Sequence, residues 1–253
     1  MKRLSIVALI ALSSALSVKA AEKGKHLFIL SGQSNMALLN PNHSFTPAVQ
    51  AEFGKDHVIV VKDALGGQPI RRWYKKWPGT LPNVQDEVVN KPKKRKKGKR
   101  KVVAPKEYGD LYDRLMVKVN QALAGARPDT VTFIWMQGEK DASQKNDHIY
   151  KESLLGLIKQ LSDDMKRDDV NYVIGRLSQY RKIAHWEGVR KAQVEAAEAS
   201  PRGAWVDTDD VDIVKIHYSA AGYKDLGSRF AKKAIALIRK HRWGTGSDRS
   251  DPN

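Results

Sequence analysis

Residues 26–37, HLFILSGQSNMA, decide the fold. The first five of these residues form a short apolar run that predicts a buried strand. A small residue and a glycine precede Ser34, which allows the chain to turn sharply and present a hydroxyl group. A buried strand followed by such a turn is typical of a parallel sheet that carries a functional residue at its carboxyl end.

The rest of the chain repeats this alternation of apolar runs and helix-period segments. Further strands are predicted at residues 57–61, 130–135, 171–175 and 204–206. Helices are predicted where apolar residues recur at helical spacing, over residues 111–123, 150–165, 186–199 and 223–237. Asp110 and Ser219 are predicted to cap the first and the last of these helices. The pattern indicates an α/β protein with a parallel sheet.

The first twenty residues are predicted to be an export signal, with a basic start, an apolar core and a small-residue cleavage site at residues 18–20. The apolar core is too short for a spanning helix, so no transmembrane segment is expected in the mature chain. We therefore expect a periplasmic or secreted protein. The chain has no cysteine, and we expect one domain over residues 21–243 that folds without disulfides, followed by a polar tail at 244–253.

The positive charge is concentrated in one segment. The formal net charge is +17, but nine basic residues and no acidic one lie within residues 91–101, KPKKRKKGKRK. Without this segment and the signal, the chain carries only about +5. The segment is predicted to be a solvated, mobile insertion that either tolerates charge or binds an acidic polysaccharide or a similar polyanion. Nucleic acid is not an expected partner, because the protein is exported and base-stacking motifs are missing.

Reactive residues follow four of the five predicted strands. Ligands bind beyond the carboxyl ends of parallel strands, so these residues are expected to meet. Together they provide a serine, a glycine pair, an amide side chain and a histidine, which are the components of acyl transfer. They are Ser34, then Gly66 and Gly67, then Gln137 with Glu139, and finally His217.

Four sequence blocks resemble those of the SGNH hydrolases. FILSGQSNMA (28–37) resembles the first block, in the variant typical of sialate O-acetylesterase domains and related acetylxylan esterases. ALGGQPIRRW (64–73), WMQGEKDA (135–142) and IHYSAAGYKDLG (216–227) are similar to the second, third and last blocks. The resemblance implies a flavodoxin-like, three-layer α/β/α fold with a five-stranded parallel sheet. It also implies an esterase that removes acetyl groups from carbohydrate and needs no metal or cofactor.

The resemblance also implies a role for individual residues. Ser34 would be the nucleophile and His217 its base, and the oxyanion would be held by the N–H groups of Ser34 and Gly67 and by the amide of Gln137. The candidates for the substrate pocket are Gln33, Asn35, Glu139, Arg71 and Trp73. Trp73 either packs its loop onto the domain or offers a platform to a sugar ring, with the neighbouring cations as contacts for acidic groups. Glu139 is either a partner of His217 or a structural hydrogen-bonding residue.

One position departs from the family pattern. Val214 stands three residues before His217, where these families normally place an acid. Asp212 could serve in its place if the loop folds back, with Asp209 and Asp210 close by, or a backbone carbonyl could orient the ring. The alternative to a working esterase is a catalytically impaired relative that binds carbohydrate or polyanion. A lipase or a thioesterase on the same fold is a third possibility.

Overall fold

A five-stranded parallel sheet forms the centre of the computed structural model, which describes residues 24–80 and 108–243. The predicted signal, the basic segment 91–101 and the polar tail lie outside the described residues. The strands are β1 (His26–Gly32), β2 (Val58–Ala64), β3 (Thr130–Met136), β4 (Asn171–Gly175) and β5 (Gly203–Val206). Their order in the sheet is β2-β1-β3-β4-β5, as in flavodoxin-like folds. The strand order reverses between β1 and β3, so a binding crevice is expected beyond these two strands.

Helices cover both faces of the sheet, which confirms the predicted three-layer α/β/α fold. They are α1 (Ser34–Leu38), α2 (Phe45–Phe53), α3 (Asp110–Leu123), α4 (Glu139–Ser143), α5 (Asp147–Asp164), α6 (Ala184–Glu198) and α7 (Ala220–Trp243). One face packs against α3, α5 and α6, and the other against α2 and α7. Because side chains alternate along a strand, β1 contributes Leu27 and Ile29 to the first core and Phe28 and Leu30 to the second.

The two predicted helix caps have different outcomes. Ser219 is confirmed as the N-cap of α7, since its Oγ accepts a hydrogen bond from the N–H of Gly222 at 3.0 Å. The prediction for Asp110 is wrong. Gly109 occupies the cap position of α3 in a left-handed conformation, and the carboxylate of Asp110 pairs with Arg72 instead. The nearby guanidinium is a stronger partner for this carboxylate than a backbone N–H.

A small hairpin between β5 and α7 was not predicted. Its strands are β6 (Ile213–Val214) and β7 (His217–Tyr218), which pair antiparallel with Val214 directly opposite His217. Short 3-10 helices occur at Pro41–His43, Lys55–His57 and Ile70–Arg72. No helix in the described part of the chain is both long and apolar enough to cross a membrane.

Candidate functional site

The turn after β1 is held by the two neighbouring strands. The N–H of Gln33 donates to the carbonyl of Met136 at 3.0 Å, and the N–H of Leu65 donates to the carbonyl of Gly32 at 3.1 Å. Gly32 has a φ of +144°, and a Cβ at this position would lie 2.0 Å from the oxygen of Met136. Only glycine fits this conformation and space. The turn therefore fixes Ser34 at the start of α1, above the ends of β1, β2 and β3.

Ser34 and His217 meet at this edge of the sheet. Nε2 of His217 lies 3.1 Å from Oγ of Ser34, although the two residues are 183 positions apart in the chain. Both side chains are half-buried. The distance is within the range in which a base accepts the proton of a nucleophilic hydroxyl.

Two backbone N–H groups lie free beside the serine. A Cβ on Gly66 would be 3.4 Å from Cβ of Ser34, which shows how closely the glycine pair approaches. Gly67 has a φ of +70°. Within residues 24–80 and 108–243, no group accepts a hydrogen bond from the N–H of Ser34 or of Gly67. Both groups are therefore available to an anionic oxygen.

An open depression of about 410 Å³ surrounds these groups. Its floor contains the Ser34–His217 pair, and its rim carries two cations, Lys140 and Arg181. No carboxylate in the described ranges forms an ion pair with either cation. No group of three or more His, Cys, Asp or Glu side chains in the described residues could hold a metal ion. The remaining lining residues are Gln33, Gly66, Gly67, Glu139, Ser143, Trp186 and Ile216.

Asn35 connects the serine turn to the histidine hairpin. Its Nδ2 donates to Oε1 of Glu139 at 2.7 Å and to the carbonyl of Ile216 at 3.2 Å, and its Oδ1 accepts from the hydroxyl of Tyr223 at 2.9 Å. The predicted pocket residue Asn35 thus holds the element of Ser34 against the residue that precedes His217. The contribution of Tyr223 was missed, because its sequence position indicates only the apolar stripe of α7.

Glu139 is a buried carboxyl group at the wall of the depression. Burial raises its pKa to about 7, and the charge of Asp141 raises it further, against the hydrogen bond from Asn35. Its second oxygen, Oε2, has no hydrogen-bond partner among the described residues. No contact between Glu139 and His217 is seen, so the structure supports the hydrogen-bonding role of Glu139 through Asn35.

Gln137 lies beneath the depression and is fully buried. Its Nε2 donates to Oδ2 of Asp141 at 2.5 Å and to the carbonyl of Gln68 at 3.0 Å, and its Oε1 accepts from the hydroxyl of Tyr150 at 2.9 Å. Burial raises the pKa of Asp141 to about 6, against the hydrogen bond from Gln137. The amide hydrogens of Gln137 thus already have acceptors inside the protein.

No acid serves the other nitrogen of the histidine. Among residues 24–80 and 108–243, nothing accepts a hydrogen bond from Nδ1 of His217. The side chain of Asp212 is exposed, and its backbone carbonyl accepts from the N–H of Ser219. Asp209 pairs with Arg190 and Arg176, and Asp210 pairs with Arg229.

Two predicted pocket residues lie elsewhere. Trp73 is fully buried in the core, where it packs edge-on against Trp135 with ring centroids 5.2 Å apart. The interpretation of Trp73 as a sugar platform is therefore wrong, because the ring stabilises the core instead. Nη1 of Arg71 donates to Gln144 at 3.2 Å, and the guanidinium lies over the ring of Trp77, outside the lining of the depression.

Arg181 at the rim was also missed by the sequence analysis. It follows Ser178, Gln179 and Tyr180, at the carboxyl end of β4, where no specific role was assigned. The rule that ligands bind beyond the carboxyl ends of strands was the signal that could have found it.

Most of the chain matches one family model. Residues 37–236 match the family described as "Carbohydrate esterase, sialic acid-specific acetylesterase". The matched range contains the glycine pair and His217, and it begins three residues after Ser34. The chain belongs to this family. A search of curated protein sequences finds no significant match.

Solved structures agree with this acetylesterase family on the fold. A protein from Arabidopsis thaliana is 16% identical with a TM-score of 0.61, over 84% of this chain and 98% of the other. A carbohydrate acetylesterase from Xanthomonas citri is also 16% identical, with a TM-score of 0.58, over 84% of this chain but 56% of the other. A carbohydrate esterase family 2 enzyme from Corynascus thermopiles (Myceliophthora fergusii) is 12% identical, with a TM-score of 0.51, over 87% and 68%. At such identities the likeness shows the shared fold.

Proposed function

We propose that this member of the acetylesterase family is a serine esterase that hydrolyses acetyl esters on carbohydrate. The observation that carries the proposal is the 3.1 Å contact between Oγ of Ser34 and Nε2 of His217 at the floor of an open depression. The free N–H groups of Ser34 and Gly67 beside this pair support it, because they can stabilise the negative oxygen of the reacting ester.

The reaction runs in two steps on these residues. Oγ of Ser34 bonds to the carbonyl carbon while its proton passes to Nε2 of His217. The tetrahedral oxyanion then collapses, the bond to the sugar oxygen breaks, and that oxygen takes the proton from His217. Water next attacks the acetyl-enzyme, giving a proton to His217, and the collapse releases acetate as Oγ of Ser34 regains its proton. The products are one acetate and one free sugar hydroxyl.

The two cations at the rim support an acidic sugar as the substrate. Lys140 and Arg181 lack carboxylate partners in the described part of the chain and face the depression. The match to a sialic acid-specific family points the same way. Because salt screens exposed charges, added salt should raise KM for an acetylated acidic sugar and leave KM for a neutral one unchanged.

A second candidate function is a catalytically impaired relative that binds sugar without cleaving it. The observation that favours it is the lack of an acid at Nδ1 of His217, since loss of the aspartate of a serine protease triad lowers kcat about 10⁴-fold. The basic segment 91–101 as a polysaccharide-binding element, the single domain over residues 21–243 and the export of the protein remain predictions from the sequence.

Acetate release by the mature chain separates the two functions. The substrates would be 4-nitrophenyl acetate, a neutral acetylated polysaccharide and an O-acetylated sialic acid. We expect activity in the wild type that Ser34→Ala and His217→Ala each reduce at least about 10³-fold. Ser228→Ala, which removes an exposed serine of α7, serves as the control. A wild type as silent as Ser34→Ala, but able to bind the acetylated sugar, would establish the impaired relative instead.

A further inference from the structure

We propose that the side-chain amide of Gln33, and not that of Gln137, is the third donor to the oxyanion formed at Ser34. This assignment rests on the proposed esterase function. It concerns the residue directly before the nucleophile, whose side chain lines the depression together with Ser34 and Gly67.

Hydrogen bonds fix the orientation of the Gln33 amide. Oε1 of Gln33 accepts from the backbone N–H of Lys140 at 3.2 Å and from Nε2 of Gln137 at 3.3 Å. A backbone N–H can only donate, so the atom facing Lys140 must be the amide oxygen and the NH₂ group must point the other way.

The NH₂ group of Gln33 remains without an acceptor. Among residues 24–80 and 108–243, nothing accepts a hydrogen bond from its Nε2, and this atom does not belong to the buried polar atoms that are enclosed without a partner. Gln33 as a whole is only 3% exposed, so the small open part of the residue is turned to the depression it lines. A side chain that is nearly buried, fixed at its oxygen and open at its nitrogen is prepared to donate to a ligand.

Gln137 differs from Gln33 in each of these respects. It does not line the depression, and its Nε2 already donates to Asp141, Gln68 and Gln33. Its role is to hold the oxygen of Gln33 from below. We therefore assign Gln137 as a positioning residue and Gln33 as the donor that contacts the oxyanion.

The step that Gln33 assists is the first bond change of the reaction. As Oγ of Ser34 bonds to the carbonyl carbon, the electron pair of the C=O bond moves onto the oxygen. The N–H groups of Ser34 and Gly67 and Nε2 of Gln33 would hold this oxygen until the sugar oxygen leaves. Removing one donor of this kind lowers kcat about 10²- to 10³-fold.

The test compares Gln33→Glu, Gln33→Met and Gln137→Met by kcat and KM on 4-nitrophenyl acetate and by thermal unfolding. Gln33→Glu keeps an oxygen for Lys140 and Gln137 but replaces the NH₂ group. We expect kcat to fall at least about 10²-fold in both Gln33 variants, with KM within about threefold of the wild type. Gln137→Met should lower Tm more than it lowers kcat, with a loss in kcat of less than about tenfold.

The pH dependence gives a readout that a structural role would not change. A carboxylate at position 33 repels the oxyanion, whereas a protonated carboxyl group can donate to it. The ratio of Gln33→Glu to wild-type kcat should therefore rise as the pH falls from about 8 to 5, while the ratio for Gln33→Met stays constant. Folded Gln33 variants with wild-type kcat, or a 10²-fold loss in Gln137→Met alone, would overturn the assignment and leave the esterase intact. A silent wild type would overturn both.

Discussion

The serine half and the histidine half of the site are built in different ways. The serine half is a turn between buried parallel strands, in which Gly32, Gln33 and Leu65 make backbone contacts with neighbouring strands. The histidine half is a hairpin of two-residue strands, in which Val214 is 60% exposed and Lys215 has a φ of +61°. The sheet thus fixes the nucleophile, whereas local hydrogen bonds and the contact from Asn35 to Ile216 hold the base.

This difference predicts how substitutions divide between stability and activity. Changes in the serine half should act on folding first, because the packed sheet cannot move to accept them. Changes in the hairpin should act on the rate, because exposed positions tolerate substitution. The following predictions test this division.

Gly32→Ala should have the largest effect. Its Cβ would meet the backbone oxygen of Met136 at 2.0 Å and would require a φ of +144°, so we expect a loss of about 4 kcal/mol in the free energy of unfolding. Urea denaturation measures it. The matched control is Gly125→Ala, where φ is +83° but no atom lies within 4 Å. Its cost should not exceed about 2 kcal/mol, and equal losses in both variants would show that the packed turn is not rigid.

Glu139→Gln should change the pH dependence of stability. Burial raises the pKa of Glu139 from 4.5 to about 7, so between these pH values the folded protein keeps a proton that the unfolded chain has released. The free energy of unfolding therefore decreases as the pH rises through this range, by about 3 kcal/mol from this group. The variant, which does not ionise, should lose this part of the slope.

Denaturation curves from pH 4 to 8 check this prediction. Asp141 contributes a slope of the same sign at lower pH, because burial raises its pKa from 3.8 to about 6. The difference between the wild type and Glu139→Gln isolates the single group. Parallel curves for the two proteins would mean that Glu139 is ionised throughout and that the serine half is wetter than its burial indicates.

Val214→Asp should raise activity without affecting stability. Residues directly opposite in an antiparallel pair have their Cβ atoms about 4.5–5.5 Å apart on the same face, and Val214 is opposite His217. A carboxylate there could accept the hydrogen bond from Nδ1 and stabilise the imidazolium. We expect about a tenfold increase in kcat. Val214→Asn is the control of equal size without charge, and an equal gain in Asn would show that the effect is not that of an acid.

The two halves also differ in what their sequence reveals. The apolar run of β1 and the glycine before Gln33 carry their information within a few residues, so the strand and the turn could be predicted. The hairpin strands have two residues each, too few for any periodicity to appear. Helix α2 was missed as well, because Pro47 and polar residues interrupt the spacing of Phe45, Val49 and Phe53.

Side-chain direction was the least predictable property of the site. The positions of Ser34 and His217 follow from strand ends and topology, and the structure brings them together. The direction of the Gln137 amide depends on Asp141 and Tyr150, which belong to α4 and α5. Such contacts are tertiary, so a sequence block can place a residue near the site without telling which way its amide points.

Asp212→Asn should have the smallest effect, with kcat within about threefold of the wild type. The side chain of Asp212 is exposed and makes no hydrogen bond to His217, whereas its backbone carbonyl accepts from Ser219 and contacts the start of α7. Asparagine keeps that carbonyl, so the structural role is retained. Steady-state kinetics on 4-nitrophenyl acetate measure the effect. A loss of 10³-fold or more would show that the hairpin closes during catalysis and brings this carboxylate to Nδ1, in which case the exposed histidine half is built to move and the serine half to stay.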